Sequence, residues 1–252
     1  MLPPNILSHN RARVTNHYAL LPAIGIVDSV LPNFKNTIAH IQAAPALGRV
    51  TFVQMLLDMA PEAATRAPIA DGLEHFFYVL DGAIEVRVEG QPHTLTEGGY
   101  AYLPAGQSFN LVNTSGAMCH VEWIKRRYEP IDRPAPKPLF GNQKDVPCAS
   151  DDVEGACTQR LLPFEDISFD MAVNILRFKP GVYFDFVETH IMEHGLYMLA
   201  GQGIYYLASD LLEVQATDFI WMAPYCPQFF FCTGWEDGAY LLYKDVNRDI
   251  PL

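Results

Sequence analysis

Positive charge is scarce in this chain. It has 17 Lys and Arg against 29 Asp and Glu, a formal net charge of −12 over 252 residues. That balance argues against nucleic acid or an acidic membrane surface as a partner. Long apolar runs are missing too. None approaches the ~20 residues of a membrane-crossing helix, and Met1-Leu-Pro-Pro-Asn-Ile6 lacks the basic start and apolar core of a signal peptide. Cysteine is limited to five residues, an odd number, with no C-x-x-C. The expectation is therefore no disulfide framework and a reducing cytoplasm. No long amphipathic helix and no low-complexity segment can be traced.

What is present is apolar and rich in turns. Half the residues are hydrophobic and 18% are charged, with 19 prolines and 17 glycines, enough for two buried cores joined by many turns. The acidic surplus is a difficulty for any anionic substrate, and a bound divalent cation would relieve it locally.

At a shift of 119 residues the chain resembles itself. Leu57, Pro61, Glu74, His75, Tyr78, Leu80, Gly82 and Lys125 fall on Leu176, Pro180, Glu193, His194, Tyr197, Leu199, Gly201 and Lys244. The shared pattern is E-H-x-x-Y-x-L-x-G, and in the first copy it runs on into Ala83–Val88, a period-2 strand entered through a Gly turn. Two copies at so long a period mean a duplicated domain. Short strands between Gly/Pro turns make each copy a β-sandwich or small barrel, so the fold class is all-β. Residues 1–130 are expected to hold an arm and a first barrel from about Gly48 to Tyr128. Residues 131–252 are expected to hold a Pro-rich linker, stiffened at Pro134, Pro136 and Pro138, and a second barrel from near Leu161.

The second copy carries Glu188-Thr-His-Ile-Met-Glu-His194. On a strand Glu188, His190 and His194 share one face, and three ionisable groups on an inward face call for a partner charge. A metal ion would supply it. On a helix the same run matches H-x-x-E-H, the inverted zinc-peptidase motif, but Glu188 would then point away at ~100° per residue. Gly195 and the flanking Val182–Val187 and Gly201–Tyr206, rich in aromatic and β-branched residues, favour the strand. Met192 then joins the inward face as pocket wall, and Glu193 faces away in a structural role.

Gly98-x5-Pro104-x-Gly106-x2-Phe109-x3-Asn113 resembles the second sequence motif of the cupin family, with Phe109 where that motif places a metal-binding His. Glu188-x-His190-x3-His194-x6-Gly201 resembles the first, with His194 where many cupins have Glu. The match narrows further. Glu188-Thr-His190, Glu193-His194-Gly195, Gly201-Gln202-Gly203, the tail Tyr243–Asp249, Asn10–Val14 and Tyr18–Pro22 resemble the (S)-ureidoglycine aminohydrolase family of the allantoin pathway.

The resemblance implies a bicupin: two tandem jelly-roll β-barrels in one chain. It also implies metal-dependent hydrolysis of (S)-ureidoglycine to (S)-ureidoglycolate and ammonia. A metal shell of Glu188, His190, His194 and Gln228 follows from it, a set that suits a harder ion such as Mn²⁺. Gln228 is read from Pro224–Gln228 set against the Pro104-x-Gly106 turn, which puts it one residue earlier than the usual His. Cys226 is a rival ligand that would favour zinc, and a small turn residue on the blander reading. The family further implies Lys244 in proton transfer, Glu188 as ligand and proton carrier, and Tyr205 as a hydroxyl against the substrate. Arg248 is either a carboxylate partner or half of a structural salt bridge.

In the first copy Ile69, Asp71, His75 and Phe109 stand at the matching places, so its site is dead. That barrel is expected to serve packing and assembly into a homo-oligomer. The partners expected are a small-molecule substrate, no nucleic acid and no membrane. The alternatives are a metal-dependent bicupin isomerase or dioxygenase on another small polar acid, and a non-enzymatic ligand-binding bicupin.

Overall fold

The computed structural model describes residues 11–150 and 153–245. Short strands dominate. In order they are β1 (Arg13–Val14), β2 (Tyr18–Leu21), β3 (Asp28–Ser29), β4 (Phe34–Ala43), β5 (Phe52–Thr65), β6 (Glu74–Asp81), β7 (Ala83–Val88), β8 (Gln91–Thr96), β9 (Gly99–Leu103), β10 (Phe109–Asn113), β11 (Cys119–Arg126) and β12 (Leu139–Asn142). Then come β13 (Ala149–Ser150), β14 (Ala156–Arg160), β15 (Met171–Phe178), β16 (His194–Ala200), β17 (Gln202–Leu207), β18 (Asp210–Gln215), β19 (Phe219–Met222), β20 (Gln228–Cys232) and β21 (Gly238–Asp245). Among the described residues the helical elements are three short 3₁₀ turns, and no helix is long and apolar enough to cross a membrane.

The chain divides into two compact units. One is Val27–Val146; the other joins residues 11–26 to 147–245. In the first unit the strands run β12-β9-β6-β11-β5-β10-β7-β8, with β4 and β3 added beside β5. The 14-residue β5 pairs with β11 near its start and with β10 at Ala64, so one sheet curls over a core of Leu57, Phe77, Ile84, Val86, Leu111, Val121 and Trp123. Period-2 alternation builds it: Ile84, Val86 and Val88 of β7 point inward while Glu85 and Arg87 pair on the other face. The second unit sets β1-β2-β19-β16-β21-β15-β14-β13 against β18-β17-β20. Leu196, Met198 and Ile220 from one sheet pack with Tyr205, Leu207 and Phe230 from the other. This is the all-β bicupin.

The 119-residue repeat is written into the strand register. His75 pairs with Lys125 as His194 pairs with Lys244, and Leu57 pairs with Val121 as Leu176 pairs with Tyr240. Phe109 faces Val88 as Gln228 faces Leu207, and the isolated bridge Ile69–Phe109 reappears as Glu188–Gln228. Gln228 therefore stands at the place of Phe109, not one residue before it. Gly82 and Gly201 both turn the chain at positive φ. At Gly201 a Cβ would lie 2.7 Å from the Asp237 carbonyl, so a glycine is required there.

Four expectations need correction. The arm belongs with the second barrel, since β2 pairs with β19, Ile220 opposite Leu20. The stretch after residue 130 belongs partly with the first, since β12 pairs with β9, and β4 brings that barrel's start well before Gly48. Glu188–His194 is not one regular strand, nor is it a helix. Residues 179–193 touch β20 through bridges at Tyr183–Phe231 and Glu188–Gln228. Five steps on one side oppose three on the other, so two residues are surplus and the chain bends at Asp185 and Phe186. Finally, Cys148 and Cys157 form a disulfide. The β13–β14 hairpin brings them to a Cα–Cα distance of 5.4 Å, a proximity no spacing rule reveals. Cys119, Cys226 and Cys232 are free and buried. Arg248 and the end of the tail lie outside the described residues.

Candidate active site

A cavity of about 410 Å³ opens into the second barrel, and Glu188, His190, His194, Tyr205, Gln228 and Lys244 all line it. They arrive from separate places. Glu188 and His190 lie on the irregular segment, tied to β20 by Glu188 N–H to the Gln228 carbonyl at 2.8 Å and to the turn before it by Tyr225 N–H to the His190 carbonyl at 2.7 Å. His194 opens β16, Tyr205 sits on β17, Gln228 opens β20 and Lys244 is on β21 opposite His194. Met192 is on the wall, as its face predicts.

The imidazoles of His190 and His194 meet edge to face, ring centres 4.8 Å apart. The Gln228 amide nitrogen lies 3.2 Å from His190 Nε2 and 3.3 Å from His194 Nδ1. His190 Nδ1 and His194 Nε2 are buried with no hydrogen-bond partner among the described residues. Burial pushes the basicity of both rings down, with Lys244 adding to the effect, and His194 falls well below the ordinary range. Both rings are therefore neutral with lone pairs available, the form that binds metals. Among the described residues no group of three His, Cys, Asp or Glu side chains is already gathered as a metal cluster. The set is mixed instead: two imidazoles, an amide that can present its oxygen by rotation about one bond, and a carboxylate on the same cavity. Orphaned nitrogens beside such donors fit a divalent ion. Cys226 is absent from the lining and burial pushes its thiol up to about 11, which suits the turn-residue reading.

Glu193 is buried on the other side of the backbone, where its carboxylate accepts from Trp221 Nε1 at 2.6 Å. The structural reading of Glu193 holds. Lys244 is largely buried. Burial lowers its basicity first, Glu188 opposes that, and Arg160 lowers it again. Tyr205 is a buried phenol whose acidity burial suppresses, in contact with Tyr240.

The sequence did not single out Asn174, Arg160, Tyr240 or Phe186, all of which also line the cavity. The usable signal was difference between the copies, since Asn174 and Arg160 fall on Met55 and Ile41 at the same shift.

In the first barrel the matching place keeps a cavity of about 330 Å³, lined by Met55, Ile69, Asp71, Trp123 and Lys125, but without the ligand set. His75 Nε2 lies 3.0 Å from Asp71, Lys125 Nζ donates to Asp71 at 3.1 Å, and Trp123 Nε1 donates to His75 Nδ1 at 3.1 Å. Phe109 packs edge-on against His75 at 4.8 Å. Asp71 at the place of His190 gives Lys125 and His75 an internal partner, so no metal charge is needed.

Residues 55–125 match the cupin domain family. The chain is 36% identical to the (S)-ureidoglycine aminohydrolase of Escherichia coli K12 over 96% of this chain and 94% of that protein. It is 34% identical to the Arabidopsis thaliana (S)-ureidoglycine aminohydrolase over 92% and 76%. Its fold superimposes at a TM-score of 0.87 on the crystal structure of a putative glyoxylate-induced protein from Pseudomonas aeruginosa, at 34% identity over 96% and 93% of the two chains.

Proposed function

The chain belongs to the (S)-ureidoglycine aminohydrolase family, and we propose that it hydrolyses (S)-ureidoglycine in the second-barrel cavity, with a divalent ion held by Glu188, His190, His194 and Gln228. The observation that carries this reading is the convergence of those four residues with Lys244 on one cavity, two of them offering neutral imidazoles with orphaned nitrogens. When bound, the ion supplies positive charge for the substrate carboxylate and activates a water. Two nitrogens, a carboxylate and an amide oxygen suit Mn²⁺ better than a thiolate-preferring ion.

The chain's own groups complete the chemistry. The C–N bond to the amine breaks, a C–O bond forms from water, and the amine leaves with an added proton. Lys244, its basicity lowered by burial, exchanges that proton near neutral pH. Glu188, beside it, takes up the proton lost by water. Tyr205 stays protonated and donates a hydrogen bond. Phe184 and Phe186 at the wall limit water entry. Assembly of like chains through the first barrel, whose β4 exposes Ile38 and Ile41, and a cytoplasmic location, consistent with three free thiols despite one disulfide, belong to the same proposal.

The test is ammonia release from freshly made (S)-ureidoglycine, above its spontaneous decay. A chelator should stop it and Mn²⁺ should restore it. Metal-loaded protein that matches the blank would overturn the reading.

A further inference from the structure

The two barrels share their strand register, so each cavity residue has a counterpart in the first barrel, where a smaller cavity of about 330 Å³ lacks the ligand set. On β14 and β15 the wall changes character. Thr158 pairs with Leu176 as Ala39 pairs with Leu57, and Arg160 pairs with Asn174 as Ile41 pairs with Met55. Three apolar residues of the first barrel, Ala39, Ile41 and Met55, are thus Thr158, Arg160 and Asn174 in the second, all three lining its cavity. At the next strand Trp123 gives way to Leu242, which leaves room in front of them.

Asn174 is the residue hardest to explain structurally. It is 7% exposed, and its amide, with two donors and two lone pairs, is turned to the cavity it lines. A barrel whose sister copy fills the position with Met has no structural need for it. Arg160 is the second oddity. Its guanidinium makes no ion pair among the described residues in a strongly acidic chain, and lies 4.3 Å over the Phe164 ring at the cavity edge.

We propose that Asn174, with Thr158 and Arg160, is the subsite that recognises the ureido end of the substrate. This rests on the reading of the second-barrel cavity as the ureidoglycine site. A ureido group is flat and uncharged, with one carbonyl acceptor and N–H donors. The Asn174 oxygen accepts from its N–H groups, while the Asn174 amide nitrogen and the Arg160 N–H groups donate to its carbonyl. The carboxylate and amine are left to the Glu188–His190–His194–Gln228 side and to Lys244. Asn174 and Arg160 act as specificity residues, with no proton to move.

The experiment uses the metal-loaded full chain and two stable probes. N-carbamoylglycine carries both a carboxylate and a ureido group; glycolate carries the carboxylate alone. In Asn174→Met, which installs the first barrel's own residue, metal content and glycolate affinity should stay as in the parent. N-carbamoylglycine should bind roughly tenfold to a hundredfold more weakly, and KM for ureidoglycine should rise while kcat falls less. Arg160→Gln, which keeps a donor, should weaken the same probe by a smaller factor. Equal loss for both probes would make Asn174 a general packing residue and overturn the proposal, as would unchanged N-carbamoylglycine binding. Failure of the parent to turn over ureidoglycine would instead sink the functional reading, a result the turnover assay reports separately from the two-probe comparison.

Discussion

Replacing Lys244 by Met isolates proton transfer from everything else the cavity does. The amine is largely buried between Glu188 and Arg160, opposite His194 across the β16–β21 ladder, and 5.5 Å over the Phe164 ring. Its burial is a cost to the fold, so an uncharged side chain of similar length should leave stability unchanged or slightly raised. Lys244 is not a ligand, so metal content should also persist. What disappears is the group that protonates the leaving amine. General acid–base help is worth about 10²–10⁴-fold, and kcat/KM should fall by that factor. Lys244→Arg sharpens the argument. Arginine keeps the positive charge but does not release its proton near neutral pH, so it too should be slow if proton transfer is the role. The assay is ammonia release with metal content and thermal midpoint measured on the same samples. Full activity in Lys244→Met refutes the role outright. Full activity in Lys244→Arg with loss in Lys244→Met would reduce Lys244 to a fixed charge that holds the carboxylate.

The matched histidines should behave oppositely. His194→Ala should lose metal and activity. His75→Ala should keep both and lose about 1–3 kcal/mol, because the buried Trp123 N–H loses its acceptor; metal loss in His75→Ala and not in His194→Ala would reverse the assignment of the live barrel. Metal analysis of the parent should give one divalent ion per chain, and two would contradict the loss of the ligand set from the first barrel. Glu122 offers a pH test within the first unit. Burial pushes its carboxyl up to about 7, against lowering hydrogen bonds from Gln42 and Gln54. A folded value above the unfolded ~4.3 means its contribution is full below about pH 4 and is lost as pH rises through about 7. Relative to Glu122→Gln, the parent should therefore lose on the order of 2–4 kcal/mol between about pH 5 and pH 8 in urea unfolding. A difference that does not vary with pH would refute the buried-acid picture.

The sequence revealed the repeat because duplicated strands keep their packing residues. Leu57 and Leu176, Gly82 and Gly201, His75 and His194 survive in both copies, since both barrels need the same ladders and the same turns. The sequence also pointed to the second-barrel cavity through the run Glu188–His194, because histidines beside a carboxylate are an unusual pattern on an inward face. It failed where the physics is non-local. Nothing in Tyr18–Leu21 says that it pairs with Phe219–Met222 some two hundred residues on, and nothing in Cys148 and Cys157 says that a hairpin sets them side by side. The even spacing of Glu188, His190 and His194 pointed to the right cavity through the wrong local structure, since an irregular segment tied at intervals to β20 also aims all three inward.

The difference between the copies is as informative as their likeness. In the first barrel Asp71 pairs with Lys125 and holds His75, so the cluster is neutralised from within, and Phe109 and Trp123 pack against His75. In the second, His190 replaces Asp71, and the lysine and two imidazoles share the cavity with Glu188, the one carboxylate among the described residues of its lining. Gln228 and Leu242 reopen the space that Phe109 and Trp123 occupy. With the imidazoles neutral, Lys244 and Arg160 against Glu188 leave the described lining of the second-barrel cavity on the positive side, in a protein of net charge −12. That local reversal of sign is what an anionic substrate needs in order to enter, and it makes a concrete demand. Changing His190 to Asp, the first barrel's own residue, should add a second carboxylate beside Glu188 and cancel that surplus, and with it the second barrel should lose its hold on both the metal and carboxylate probes while keeping its fold.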